Sequence, residues 1–184
     1  NQSIWLGTGE NVGGRHVGIG HGIYQSIDGG KTWKNKGLKN SEHLSKIIIH
    51  PKNSNIIWAA SQGPLWSSGG DRGLFKSVDG GNSWKNTLKI NEWTGVTDII
   101  IDPRNPDILY CASWQRHRNV ASYIGGGPGT SIYKSMDGGE NWKNVTPLGI
   151  TTPAKIYILS YDIFIIYDLM HIIIAELINN NNFL

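Results

Sequence analysis

Cysteine is almost absent. The 184 residues carry a single one, Cys111, so no disulfide can tie the chain to itself. It sits in the apolar run Leu109-Tyr110-Cys111, which predicts a buried, inert thiol. A nucleophilic thiol needs an electropositive and partly exposed setting. Charge is also scarce, at 17% of residues, and the lysines and arginines behind the net charge of +3 are scattered. No basic run resembles a nucleic-acid-binding arm, so no nucleic-acid partner is expected. A set of metal ligands is missing around His16 and His21, and no metal is expected there. Gly18-Ile-Gly20-His-Gly22 lacks a following helix, and Gly125–Gly129 lacks a Gly-Lys-Ser/Thr ending. Neither glycine cluster therefore predicts a nucleotide, and no cofactor is expected. The chain starts at Asn1, and no signal-peptide pattern is read within it.

Glycine and tryptophan are abundant, at 24 and 8 residues. Such a composition suits short strands joined by tight turns rather than a helical bundle. The main signal is an internal repeat. Tyr24-Gln-Ser26-Ile-Asp28-Gly-Gly30-Lys-Thr32-Trp33 returns as Phe75-Lys-Ser77-Val-Asp79-Gly-Gly81-Asn-Ser83-Trp84. It returns again as Tyr133-Lys-Ser135-Met-Asp137-Gly-Gly139-Glu-Asn141-Trp142. Between these copies lies a second element, Ile47 to Ala59, repeated at Ile99 to Ala112, in which a Pro/Asn turn separates two apolar runs. That is a hairpin signature. Ile4-Trp5-Leu6-Gly7 matches only the second half of this element, so the chain is expected to be part of a larger repeat array.

Each repeat thus predicts four strands, written here for the middle copy as A (47–49), B (56–60), C (74–77) and D (83–85). Four short strands in roughly 50 residues make the blade of a β-propeller. The expected fold is all-β, with about three blades over residues 1–158, as a fragment of a larger propeller. Propellers close with about 4–8 blades, so the remaining blades are expected partners. Residues 159–184 form an Ile-rich tail. It reads as a drifted fourth blade, with strand A from Ile156 and strand B at His171–Ala175, as an amphipathic helix, or as a non-native end. A membrane helix over 156–178 would have to bury Asp162, Asp168, His171 and Glu176, so no membrane insertion is expected.

The spelling of the first element follows from turn chemistry. Paired glycines permit positive φ. Asp28, Asp79 and Asp137 can accept backbone N–H bonds across the turn. Ser26, Ser77 and Ser135 can tie the strand ends, and Trp33, Trp84 and Trp142 offer an apolar face. These residues, with Gly30, Gly81 and Gly139, are read as structural rather than catalytic.

Strand polarity puts the A–B and C–D turns on one face of the propeller and the B–C and D–A connections on the other. The B–C connections are long, and long loops on a rigid scaffold concentrate function. They offer Arg15, His16, Trp66, Asp71, Arg72, Trp114, Arg116 and Arg118 as ligand-binding candidates, because forked guanidinium bonds and ring stacking suit carboxylates and sugars. Among the acids Glu10, Glu42, Asp71, Glu92 and Asp98, Glu10 stands out at the end of a strand B. Hydrolysis of a glycoside needs two facing carboxyl groups, and no partner for Glu10 is identifiable.

The Ser-x-Asp-x-Gly-x-Thr/Ser-Trp turns resemble the BNR/Asp-box superfamily. The long B–C loops, Gly7-Thr8-Gly9-Glu10 and the Asp-Pro-Arg-Asn-Pro-Asp run at 102–107 are most similar to bacterial sortilin-like, VPS10-type propellers, often labelled glycosyl hydrolases. The resemblance implies a secreted, periplasmic or cell-surface module that binds a peptide or carbohydrate ligand without chemistry of its own. Its alternative is a glycoside hydrolase. Sialidase-like relatives use an arginine cluster, a tyrosine and an acid, a set that cannot be placed here. Xyloglucanase-like relatives use two aspartates, one near the end of a strand B, where this chain has Glu10.

Overall fold

The computed structural model describes residues 2–11 and 14–147, together with three short strand segments between 156 and 174. Every regular element among them is a strand. The first sheet holds β1 (Ile4–Gly7), β2 (Ile23–Ser26) and β3 (Lys34–Asn35). The second holds β4 (Leu44–Ile49), β5 (Ile57–Ser61), β6 (Gly73–Ser77) and β7 (Lys85–Leu88). The third is built from β8 (Thr94–Ile101) and β9 (Leu109–Gln115), a small hairpin of β10 (His117–Arg118) and β11 (Tyr123–Ile124), then β12 (Ile132–Ser135) and β13 (Lys143–Asn144).

Within each sheet the strands pair antiparallel in chain order, with the β10–β11 hairpin standing apart as an excursion of one loop. These sheets are up-and-down blades in succession. The inner strands lie side by side, β4 against β1 and β8 against β4. A last antiparallel set follows, β14 (Ile156–Ile158), β15 (Ile165–Tyr167) and β16 (Ile173–Ile174), with β14 against β8. β14 begins where the repeat spacing places a strand A. Its neighbour is β15 rather than the expected strand at His171–Ala175, two residues of which form β16. The other readings of 159–184 lie outside the described residues.

Blade centres are apolar because the β-branched and aromatic residues of strands A to C face each other between sheets. Trp58, Leu74, Val96, Ile99, Leu109 and Cys111 form one cluster across the second and third blades. Cys111 is fully buried and its thiol is pushed up by desolvation, then by the charge of Asp98, as the apolar run implied. A second cluster joins Ile23 and Leu38 to Leu44, Ala59 and Phe75, between the first and second blades.

The three Asp-box turns adopt one geometry. Ser26 Oγ donates to Asp28 Oδ1 at 2.8 Å and accepts the Gly30 N–H at 2.8 Å. Asp28 also takes the Thr32 N–H at 2.9 Å and the Thr32 hydroxyl at 2.6 Å. Asp79 and Asp137 repeat the pattern with Ser83 and Asn141. Both glycines of each turn have positive φ, 74° and 93° at Gly29 and Gly30. The turn then docks on the hairpin turn of its own blade: Gly80 N donates to Asn55 O at 3.0 Å and Gly138 N to Asp107 O at 2.9 Å. Both kinds of turn therefore share one face, as strand polarity requires.

Strand D begins later than the sequence implied. Ser83 and Trp84 belong to the turn, and β7 starts at Lys85. The Asp79 carboxylate captures the Ser83 N–H and hydroxyl, which holds that residue out of the ladder.

Candidate functional site

The opposite face carries the long connections. Residues 62–72 leave β5 as a loop folded around one side chain. Arg72 is buried, and its guanidinium donates to the carbonyls of Gln62 at 2.7 Å, Ser67 at 3.1 Å, Gly69 at 3.2 Å and Trp93 at 3.3 Å, and closely to that of Pro64. Desolvation lowers its pKa to about 10, still far above neutrality. Five carbonyl contacts satisfy a planar, forked donor set that lysine does not possess. Gly63 makes the packing possible: a Cβ there would meet Arg72 Nε at 2.8 Å. Asp71 ties the loop to the preceding connection, its N–H donating to Asn40 O at 3.0 Å and its Oδ2 accepting the Asn40 N–H at 2.9 Å. Arg72 and Asp71, read from sequence as ligand candidates, are thus committed to holding their own loop.

The third blade repeats the plan. Arg116 is fully buried, donates to Gly63 O at 3.2 Å, and sits 5.3 Å from the ring centroid of Trp114. Desolvation, then the neighbouring charge of Arg72, lower its pKa to about 10. Trp114 is 5% exposed and donates its indole N–H to Gly125 O at 2.8 Å. Both are interior to the connection rather than on its surface.

The two loops meet. Arg118 N donates to Leu65 O at 3.0 Å, Arg116 N to Trp93 O at 3.2 Å, and Gly69 N to Glu92 O at 2.8 Å. Around this seam lies a surface of rings and one cation. Trp66 is 41% exposed and Tyr123 39% exposed. The Arg118 guanidinium lies 4.5 Å from the Tyr123 ring centroid, and the rings of Trp93 and His117 lie 4.1 Å apart, tilted by 44°. Trp66 and Arg118 are among the ligand-binding candidates named from the sequence, and both lie at this seam. Trp93, His117 and Tyr123 were not singled out, although His117 stands in the named Arg116-His117-Arg118 run.

Glu10, Arg15 and His16 are exposed on the first blade's loop. Glu10 N donates to Gly18 O at 3.0 Å, and its backbone and charge both act on the buried His43. His43 was missed in the sequence. Burial, then the charge of Arg116, depresses its pKa to about 4, against a smaller opposing pull from Glu10. At neutral pH His43 is therefore uncharged, and its 3.9 Å approach to Glu42 is no ion pair. Asp98 lies elsewhere, on inner strand β8, paired with Lys46 of β4 at 2.6 Å.

Asp-box turns, four-stranded blades and a loop face built over buried arginines define the class: a segment of an Asp-box β-propeller. The chain belongs to the Sortilin-Vps10 family, described as sortilin, neurotensin receptor 3, whose pattern matches residues 21–157. Among curated proteins it is similar to the xyloglucanase Xgh74A of Acetivibrio thermocellus, 30% identical over 160 residues covering 77% of this chain and 16% of that protein. A xyloglucanase of Paenibacillus sp is 30% identical over 134 residues, 68% of this chain and 12% of that protein. Among solved structures, an ancestral GH74 enzyme superposes with a TM-score of 0.58 at 22% identity, covering 77% of this chain and 18% of that one. The Niastella koreensis GH74 enzyme gives 0.56 at 16% identity, covering 82% and 20%. These two structures bear on the fold alone. The chain spans under a fifth of the length of the curated relatives it matches.

Proposed function

We propose that this chain supplies part of the ligand-binding face of an extracytoplasmic propeller, and that the ligand is a carbohydrate held by ring stacking. The observation that carries the reading is the seam of Trp66, Tyr123 and Arg118. Two large rings stand well exposed on loops whose bases are locked by Arg72 and Arg116. An exposed tryptophan normally costs solvation, and loop ordering normally costs entropy. Here both are met before any ligand arrives, which favours affinity. Aromatic faces match the apolar faces of sugar rings, and a guanidinium beside them offers forked hydrogen bonds to hydroxyl or carboxyl oxygens.

Glycan-array binding with the chain, followed by titration of any hit, tests the reading. Trp66→Ala should weaken binding at least about tenfold, the scale of a lost anchor residue, while leaving the melting temperature unchanged. Peptide binding without glycan binding would replace carbohydrate with the peptide reading. A second reading, glycoside hydrolysis, draws support from relatives that are named xyloglucanases and from Glu10, an exposed carboxylate on the same loop face. Release of reducing sugar that Glu10→Gln abolishes would establish it. Unchanged release in Glu10→Gln would remove Glu10 from the chemistry.

A further inference from the structure

Two non-glycine residues among those described have a left-handed backbone, Leu38 and Glu42, each with φ of 53°. That conformation crowds the Cβ of an L-residue and suits glycine. At Glu42 it is imposed from the first blade. Glu42 O accepts the Gly20 N–H at 2.7 Å, and Leu44 N donates to Thr8 O at 3.0 Å. Gly9 packs on the Glu42 carbonyl so tightly that a Cβ would strike it. Turn chemistry alone favours glycine or asparagine at such a position. The glutamate side chain therefore needs a separate reason.

Its surroundings supply one. The Glu42 carboxylate lies 3.9 Å from Nε2 of the buried His43. His43 O accepts the Gln62 N–H at 2.9 Å. The carbonyls of Gln62 and Gly63 then take the two buried arginines, Arg72 at 2.7 Å and Arg116 at 3.2 Å. Two like charges thus meet on adjacent peptide units. Carbonyls satisfy the N–H groups of Arg72 without cancelling its charge, and a buried cation is costly without a counter-charge. Burial lowers the pKa of both guanidiniums, and the charge of Arg72 lowers that of Arg116 further. The charge of Glu42 opposes this at both.

We propose that Glu42 is a positioning residue of the loop face: its carboxylate is the shared counter-charge that holds the Arg72 and Arg116 loops together, and with them Trp66 and Arg118. The backbone conflict at 42 is tolerated because a glycine there would carry no charge. The consequence for a ligand rests on the carbohydrate reading, whereas the effect on the loops does not.

Hydrogen exchange of the whole chain at pH 7 tests this. Glu42→Gln keeps the backbone conflict and removes the charge. Exchange should quicken about tenfold at 63–71 and 116–123 together, although the two loops belong to different blades. Glu42→Gly relieves the conflict and also removes the charge, so it should quicken both loops too, despite the better backbone fit. Glu42→Asp restores a carboxylate and should recover most of the protection. A side chain that only fills space predicts the reverse, with Glu42→Gly protected and Glu42→Asp no better than Glu42→Gln. That order, quickening in one loop alone, or unchanged exchange in Glu42→Gln overturns the proposal. Binding of a xyloglucan oligosaccharide is measured separately. It should weaken about tenfold in Glu42→Gln and recover in Glu42→Asp. A wild-type chain that does not bind it removes the carbohydrate reading, and the exchange result still decides Glu42.

Discussion

At the scale of single residues, ionisation separates the turns from the loop face. Each Asp-box carboxylate is surrounded by donors. Asp28 is held down at about 2, first by the Thr32 hydroxyl and backbone and then by Ser26. Asp79 is lower still through Ser83 and Ser77, and Asp137 through Asn141 and Ser135. What these donors stabilise is present above the ordinary carboxylate pKa and is lost only as pH falls below about 4. His43 acts in a different window. Its folded pKa, about 4, lies below the ordinary 6.5, so the unfolded chain binds the proton more readily. Stability is complete above pH 6.5 and declines as pH falls towards 4, by up to about 3 kcal/mol. His43→Gln should flatten urea-measured stability between pH 6.5 and 4 and leave the steeper loss below pH 4 in place. A slope unchanged by that substitution would place the titration elsewhere.

At the scale of elements, the legible and the illegible divide by how local the cause is. Asp-box turns, the Pro/Asn hairpins and the start of β14 were readable because a few neighbouring residues determine each. The late start of β7 was not, since nothing in the spelling of Ser83-Trp84 says whether the Asp79 carboxylate or the ladder wins the backbone. The loop face was half readable. Its residue types marked it as functional, but Arg72 and Trp66 are six positions apart in one loop and have opposite fates. Arg72 turns inward because Gly63 leaves room for it and carbonyls from 62 to 69 and from Trp93 converge on it. That convergence is tertiary. Arg72→Lys should therefore act as a loop mutation. A single ammonium cannot span those carbonyls, and a loss of about 2–3 kcal/mol is expected. Hydrogen exchange should quicken at residues 63–71 before it does in β5 or β6. Uniform quickening across the blade would show that Arg72 supports the sheet instead.

At the scale of the whole molecule, stability comes from junctions as much as from sheets. Among the described residues each blade packs chiefly on its neighbours, so the array behaves as a row of coupled units. Trp58 is the residue where the second junction concentrates. It is 1% exposed, belongs to β5, and packs among Val96, Ile99 and Leu109 of the third blade. Trp5 holds the corresponding place at the first junction but is only half-buried there. Trp58→Ala should cost about 3–5 kcal/mol, as expected for emptying a packed indole site. The same change at Trp5 should cost less. The distribution of the damage is the sharper test. If junctions couple the blades, Trp58→Ala should speed hydrogen exchange in β8, β9 and β12 of the third blade as well as in β5. The first blade should keep its protection, because its contacts run through Trp84 and Leu44. Loss of protection confined to the second blade would mean that each sheet is stable alone. Simultaneous loss in all three would mean that the described blades unfold as one unit.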